Sequence, residues 1–577
     1  MEKINTFFIK NKKDTAYIIG LAVLFGICSA FSWGNFGNLF YDNGREAYLP
    51  QLILESKILF KDIFGMYNPL SYQINAVLYA IFCKSFNVLY TAGTINAFLI
   101  VVGLYLTARI FINQFYSFVY CILIMSVYIY SSTTCTNYIF PYAYAFPYAL
   151  CGFVYFVLFS LLYLKFDNKK YLLPASFSLG FSLANKPEFL LCILPFIGML
   201  IIRKETFKTI FLNFAVFVTP LILSWGILFL QGFSLVDLQN YMEFIHKFFE
   251  TEEQQIYQKN STYPWSLDNI KSAFINFIYT TLYLTASVLY FKLYSGKLKT
   301  FIAIILLPVM VITTVLCTKS LIMYNPFSWV LFLVLAILCL NFRHPKTKTS
   351  KIFILLSVFA ICSCIRVNCL LLGLGYSLYL SLLPLLICWV WFIGTEKNFV
   401  EKHKLKKYLS IAIIFFSVCN TYILFNAKYR IYGHLKTDKG TISTVKSHTE
   451  VMQKTIDWIN NNTKTNDRVV MLPEGPMINF ITGRKTDNMY YHLIPNHIKA
   501  LDEENIVNDF LQNKPEYFLI NNMIYNLYGK DYICEDFGFK ICRFIKRNYR
   551  LIEKYESGGK ANDYIFIEIY KLKKDGN

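Results

Sequence analysis

Apolar stretches of membrane-crossing length recur from Thr15 to Phe425, broken by short polar or basic turns. At about 20 residues per crossing, they predict about thirteen spans, at roughly 15–34, 90–109, 115–133, 141–164, 171–185, 187–202, 208–231, 269–292, 300–317, 323–341, 352–366, 369–393 and 408–426. The pattern changes between the first two, in residues 35–84. A polar start (Asp42, Asn43, Arg45, Glu46) leads into two short helical segments, about Arg45 to Phe60 and Pro69 to Lys84. Asp42 or Asn43 suits the N-cap of the first, Pro50 is expected to kink it, and Pro69 suits the first turn of the second. At ~1.5 Å per residue the second segment is ~24 Å long, short of the ~30 Å hydrocarbon core. Both helices are therefore expected to lie on the membrane surface.

After residue 433 the span-length pattern stops. Alternating helical and strand-like segments predict a layered α/β unit: a helix at about Thr444 to Asn460, strands at 468–472 and 517–520, a helix at about 503–512, and a last strand at 564–570. The expected organisation is a membrane domain, 1–427, with its first outer loop at 35–84, followed by a soluble domain, 433–577. A third polar segment, 232–268, contains an amphipathic stretch, Val236 to Gln258, with Tyr241, Phe244, Ile245, Phe248 and Phe249 on one side. It reads as an interfacial helix or as a mobile lid.

Composition supports a polytopic membrane protein: 55% of the 577 residues are hydrophobic. The net charge of +20 does not point to nucleic acid, because the lysines and arginines cluster in short turns between spans, as cytoplasmic loops do. With 69–84 on the surface, these clusters share one side with the N-terminus. The Asp42 loop, the turns at 134–140 and 185–188, the 232–268 loop and the C-terminal domain share the other. Positions 200 and 435 are then expected in different compartments. A cleavable signal peptide is not expected, since the first apolar run continues as a full span without a small-residue cleavage site. The localisation expected is a multi-pass plasma (bacterial inner) membrane protein, with a cytoplasmic N-terminus and a periplasmic C-terminal domain.

Thirteen of the fifteen cysteines precede Ala427, mostly within spans; Cys534 and Cys542 fall in the outer domain and could pair in an oxidising compartment. The cysteines and histidines show no metal-binding spacing, and neither a Walker motif nor a dinucleotide fingerprint is present. The sequence indicates no divalent metal site and no certain cofactor.

The candidate chemistry lies on the outer face. Asp42 is a carboxylate at the water–lipid boundary or simply a helix cap. Tyr67, Asn68 and Tyr72 surround the start of the second surface helix, and Asn137 is the polar side chain in an aromatic turn. Lys186 and Glu188 occupy the tight turn Asn185-Lys186-Pro187-Glu188, where they could also simply face water. Arg366 sits at a span end, where arginine either snorkels or serves a cavity. Arg45, Lys57 and Lys61 are weaker cationic candidates, and Glu46 is a second acid beside Asp42.

In combination these features resemble the GT-C superfamily of polyprenyl-phosphate-sugar-dependent glycosyltransferases, in particular the group of the lipid A aminoarabinose transferase and the protein O-mannosyltransferases. The matching features are an acid after the first span, Asp42; an amphipathic helix leading to Pro69-Leu70-Ser71-Tyr72; the lysine turn at 185–188; about thirteen spans; and an outer C-terminal domain. The resemblance implies Asp42 as general base and a polyprenyl-phosphate sugar as donor. Two positions depart from the pattern: Asn68 stands where the aminoarabinose transferase has a lysine, and Asn137 where the relatives have an acid. Lys186 and Arg366 are the expected cations for the leaving lipid phosphate. The acceptor would be a glycan, lipid or protein, and an in-line attack with one base implies inversion. A lipid-linked-sugar flippase or transporter, or a non-catalytic envelope assembly protein, is the alternative. The outer domain is expected to carry no catalytic residue, with His492 and His497 in a loop without an obvious partner.

Overall fold

The computed structural model describes residues 12–130, 137–261, 267–293, 302, 305–313, 315–316, 330–342, 347–370, 379–394, 404–486, 489–558 and 564–573. Apolar helices dominate the first three-quarters of the chain. α1 (Lys12–Ser32) is followed by two short helices, α2 (Asn43–Leu54) and α3 (Leu70–Ile81). Then come α4 (Phe86–Arg109), α5 (Gln114–Ile124, continued by a π-turn at Met125–Ile129), α6 (Ala145–Phe166), α7 (Leu172–Asn185), α8 (Ile193–Ile202) and α9 (Phe207–Leu230). Side chains start several of them: Ser85, Asn113 and Thr206 each accept a hydrogen bond from the first turn of α4, α5 and α9. The bundle continues with α12 (Leu267–Leu293), α13 (Val330–Phe342), α14 (Lys348–Leu370), α15 (Leu382–Gly394) and α16 (Leu405–Ile431), after the polar helices α10 (Leu235–Glu250) and α11 (Glu252–Ser261).

Five helical stretches, Lys12–Ser32, Phe86–Arg109, Ala145–Phe166, Phe207–Leu230 and Leu405–Asn426, are long and apolar enough to cross a membrane. The others among the described residues are shorter or less apolar, so the expected thirteen is not a count the structure provides. The predicted spans at 300–317, 323–341 and 369–393 lie partly outside the described residues.

One end of the bundle is tied by ion pairs between span ends. Asp14, fully buried, accepts from Arg109 Nε at 2.6 Å and from the Tyr105 hydroxyl at 2.7 Å. Arg203 pairs with Asp167, Lys169 with Glu205 at 2.7 Å, and Lys165 donates to Ile110 O at 3.0 Å. The first basic clusters thus gather at one end, as the charge pattern predicts. The first outer loop, the 137–144 segment and the 185–188 turn gather at the other.

α3 stays at that second end. Asn68, before it, donates to Leu183 O at 2.9 Å, and Tyr79 near its end stacks on Phe480 of the C-terminal domain. Tyr72, Asn75, Ala76 and Tyr79 face inward, while Val77, Ile81 and Phe82 remain exposed. This amphipathic division suits a helix lying in the interface. α2 differs from the expectation of a surface helix: every residue from Asn43 to Leu52 is buried. The C-terminal domain covers it, because α18 (Pro476–Thr482) packs directly across it. A Cβ on Gly44 would lie 2.6 Å from the Met477 backbone nitrogen, so glycine permits this close approach.

The predicted single helix at Val236 to Gln258 is two. Thr251 separates α10 from α11, and its hydroxyl accepts from Gln254 N at 3.2 Å. Tyr241, Phe244 and Phe248 face inward, but Phe249 is 53% exposed, one position round the helix from the packed face. α10 lies against the first outer loop: Lys61 pairs with Asp237 at 3.3 Å, and Tyr241 donates to Gly65 O at 3.3 Å.

The C-terminal region begins with a hairpin of β1 (Tyr432–Thr437) and β2 (Gly440–Val445), whose Lys439 carbonyl accepts from Phe86 N at 2.7 Å. α17 (Lys446–Asn462) leads to a mixed sheet of order β3-β4-β6-β5: β3 (Val469–Leu472), β4 (Tyr517–Asn521), β6 (Phe566–Leu572) and β5 (Tyr549–Glu556). β3 and β4 are parallel, and the other neighbours are antiparallel. The α/β alternation matches the sequence expectation; the hairpin, β5 and α21 (Phe539–Asn548) are additions. α19 (Pro495–Leu501) and α20 (Glu503–Gln512) lie between β3 and β4. Cys534 and Cys542 form a disulfide, with Cα atoms 5.5 Å apart.

Candidate active site

Asp42 occupies the N-cap position of α2, but its side chain makes no cap hydrogen bond. Its carboxylate instead pairs with Arg45 Nη1 at 3.0 Å. A quarter of the Asp42 side chain, 26%, is accessible, against 1% for Arg45. Asp42 is thus the open member of a closed cluster. Arg45 also donates to Glu46 Oε1 at 3.2 Å, to the Tyr142 carbonyl at 2.9 Å and to Met66 Sδ at 2.9 Å. Glu46 Oε2 accepts from Tyr144 N at 2.9 Å. One buried guanidinium and one buried carboxylate therefore lock α2 onto the start of α6.

The electrostatics follow from this packing. Burial pushes the Asp42 carboxyl above its usual range; Arg45 and the nearby His492 pull it down, and Glu474 pushes it further up. Burial also pushes Glu46 up, to about 7, against the pull of Arg45. Two acids thus share one fully buried cation.

Tyr67 links this group to Lys186. The Arg45 guanidinium lies 5.4 Å from the Tyr67 ring centre and the Lys186 ammonium 5.3 Å from it. Lys186 is surrounded by Tyr67, Tyr142 and Tyr379 rings, donates to the Tyr142 hydroxyl at 3.2 Å and pairs with Glu188 at 2.9 Å. Burial works against its charge, but Glu188 and the tyrosines hold its pKa above the ordinary lysine value. The alternative of a water-facing turn does not hold: the Lys186 and Glu188 side chains are 10% and 5% accessible.

The structure thus brings together Asp42, Arg45, Glu46, Tyr67, Lys186 and Glu188. Tyr72 faces the same cluster from α3, fully buried, its hydroxyl without a hydrogen-bond partner among the described residues. Two candidates have other work, and a third stands apart. Asn137 shapes its own turn, accepting from Ile139 N and Phe140 N at 3.0 and 2.7 Å and donating to Phe140 O. Asn68 holds α3 to α7. Lys57 lies in the turn after α2, and no described interaction joins its side chain to the cluster. Arg366 is in α14, but its side chain lies outside the described residues. Among the described residues no group of three or more His, Cys, Asp or Glu is placed to hold a metal ion.

The expectation that His492 and His497 lack partners is corrected. His492 Nε2 lies 2.9 Å from Glu474 Oε2, and His492 Nδ1 lies 3.2 Å from His497 Nδ1. Tyr525 donates to Glu474 Oε1 at 3.2 Å, and its ring meets Tyr41, the residue before Asp42, at 6.2 Å between centres. One signal could have found Glu474: it follows the end of the predicted strand 468–472, and the C-terminal ends of parallel strands commonly carry function. The aromatic walls supplied by Tyr142 and Tyr379 had no signal that set them apart from an interfacial belt.

No protein-family model and no curated protein sequence matches the chain. Solved structures do. The archaeal oligosaccharyltransferase AglB from Archaeoglobus fulgidus, in complex with an inhibitory peptide and a dolichol-phosphate, aligns over 98% of this chain and 75% of its own, with a TM-score of 0.51 and 11% identity. ArnT from Cupriavidus metallidurans, bound to undecaprenyl phosphate, aligns over 96% of this chain and 98% of its own, with a TM-score of 0.52 and 9% identity. The chain has the fold of these proteins, the GT-C fold that the first-loop acid, the surface helix and the outer domain together predict.

Proposed function

We propose that this chain is an integral membrane glycosyltransferase, transferring a sugar from a polyprenyl-phosphate-linked donor to an acceptor hydroxyl on the outer face of the membrane. The observation that carries the reading is the partly open Asp42 carboxylate set among buried cations, at the end of the bundle where α3 lies in the interface. A polyprenyl chain held in the bilayer presents its sugar–phosphate bond at that level. The fold is shared with structures that contain dolichol-phosphate and undecaprenyl phosphate.

The acceptor hydroxyl attacks the anomeric carbon as the bond from that carbon to the phosphate oxygen breaks. Asp42 takes the hydroxyl proton, a contribution of about 10²–10⁴-fold. The lipid phosphate leaves with the bonding electrons, and Lys186 and Arg366 oppose its charge. Arg45 keeps Asp42 oriented. A single base and an in-line attack give inversion. In this reading the basic end of the bundle faces the cytoplasm, and the C-terminal domain, residues 433–577, covers the site from the periplasm.

Asp42→Asn keeps the size of the side chain and removes the base. Sugar transfer in membranes supplied with the donor is expected to fall by about a hundredfold or more, with extraction and thermal unfolding unchanged. Wild-type turnover in this variant would overturn the assignment.

A further inference from the structure

Glu474 and His492 form a buried acid–base pair outside the membrane domain, and the function proposed above leaves it without a role. Glu474 is 5% exposed and His492 is 4% exposed, and their backbones meet in an isolated antiparallel bridge. Their position follows from the packing of α18 on α2. Gly44 meets Met477, so Glu474, just before α18, is carried to the start of α2, where Asp42 stands. The contact of Tyr41 with Tyr525, which bonds Glu474, makes the same junction from a second side.

We propose that the Glu474–His492 pair belongs to the active site as a positioning pair, and governs when Asp42 can accept a proton. The proposal rests on Asp42 being the base for its bearing on transfer, but not for its bearing on Asp42 itself. The hydrogen bonds show how the pair can hold charge. When His497 Nδ1 donates to His492 Nδ1, His492 is neutral and donates its Nε2 proton to Glu474. When His492 carries both protons, it donates to His497 and to Glu474 together, and His497 turns its bare Nδ1 toward it. His497 can take either role without becoming charged itself. It is 1% exposed, ringed by Phe64, Phe244 and Phe248, and its Nε2 has no hydrogen-bond partner among the described residues. Burial and His492 hold it well below the usual histidine range.

The other titratable groups facing the pair are Arg45 and Asp42 from α2, Tyr491 before His492, and Tyr525 and Tyr528 from the turn after β4. Of these only Arg45 is a fixed cation, and it is already engaged by Asp42 and Glu46. The Glu474 carboxylate raises the proton affinity of Asp42, and His492 lowers it when it carries both protons.

The opposite signs supply the test. Carbodiimide activates protonated carboxyl groups, so labelling of Asp42 in the full-length protein, followed by peptide mass spectrometry across pH, gives its titration midpoint without an activity assay. Glu474→Gln is expected to lower the midpoint by about one pH unit and His492→Gln to raise it by a comparable amount. Midpoints that stay at the wild-type value, or that move in the same direction, overturn the proposal. Should one variant not fold, the sign of the other decides. The pH profile of sugar transfer then separates the two readings. If the acidic limb moves with the labelling midpoints, Asp42 is the base and the pair tunes it. If the midpoints move and the limb does not, the pair tunes Asp42 but the base lies elsewhere, and it is the proposed function that fails.

Discussion

Tyr67 lies between two cations, and this decides how Lys186 should be tested. Lys186 is held by Glu188 at 2.9 Å, so removing the lysine alone breaks a buried ion pair, a loss of about 3–5 kcal/mol. Loss of activity in Lys186→Ala would not by itself identify a phosphate ligand. Lys186→Ala combined with Glu188→Ala removes both charges. The double variant is expected to recover most of the thermal stability while its KM for the donor stays raised by about 10–100-fold, since a charge-assisted hydrogen bond contributes about 1.5–3 kcal/mol. Full recovery of both would make Lys186 only the counter-charge of Glu188. That Asp42, Arg45, Glu46, Tyr67, Tyr72, Lys186 and Glu188 gather at one end of the bundle was legible because they stand beside predicted span ends and turns. Asn137 shapes an Asx turn inside an aromatic segment, and the sequence of such a turn is the same as that of a polar group offered to a ligand.

The short helix α2 is the element on which the site depends, and its environment reversed the expectation. A segment containing Asp42, Arg45, Glu46 and Gln51 reads as polar enough for a surface, yet it is enclosed. Arg45 meets its partners inside, and α18 covers the outer side. Gly44→Val would place methyl groups where the Met477 backbone lies. The expected result is a lowered unfolding temperature, a loss of about 1–3 kcal/mol or more, and loss of transfer as α18 and Glu474 move off α2. Gly198 in α8 is the comparison, because a Cβ there meets nothing within 4 Å. Gly198→Ala is expected to be neutral or to stabilise by up to about 1 kcal/mol. Equal unfolding temperatures for Gly44→Val and wild type would show that the contact is not tight in solution.

The whole molecule has two unlike ends. Span-end ion pairs of Asp14, Arg109, Asp167 and Arg203 close one, and the sheet-bearing domain covers the other. If this division is the membrane topology, reporters at Lys204 and at the C-terminal Asn577 will mark opposite compartments, and Cys534 and Cys542 will resist a thiol reagent until they are reduced. Reporters marking the same side would refute the orientation. Helices α10 and α11 join the two halves at the domain-bearing end: Lys61 pairs with Asp237, Tyr257 stacks on Tyr528 at 4.7 Å, and Asn496 donates to Gln254 at 2.7 Å. This segment is a packed strap between residues 35–84 and the domain.

What the sequence determined by itself is what depends on neighbours along the chain. Hydropathy placed most of the described apolar helices of the first half of the chain within a few residues, because a helix in lipid must satisfy its backbone internally and shows it as a long apolar run. Charge clusters separated the two ends, and the residues flanking the first span carried the GT-C resemblance and the acid Asp42. Only the tertiary structure decided what surrounds that acid. Glu474 and His492 reach it through the crossing of α18 on α2, and Tyr379 reaches Lys186 from the start of another helix. No local propensity records such meetings, because they are set by how distant, separately stable elements bury one another's faces.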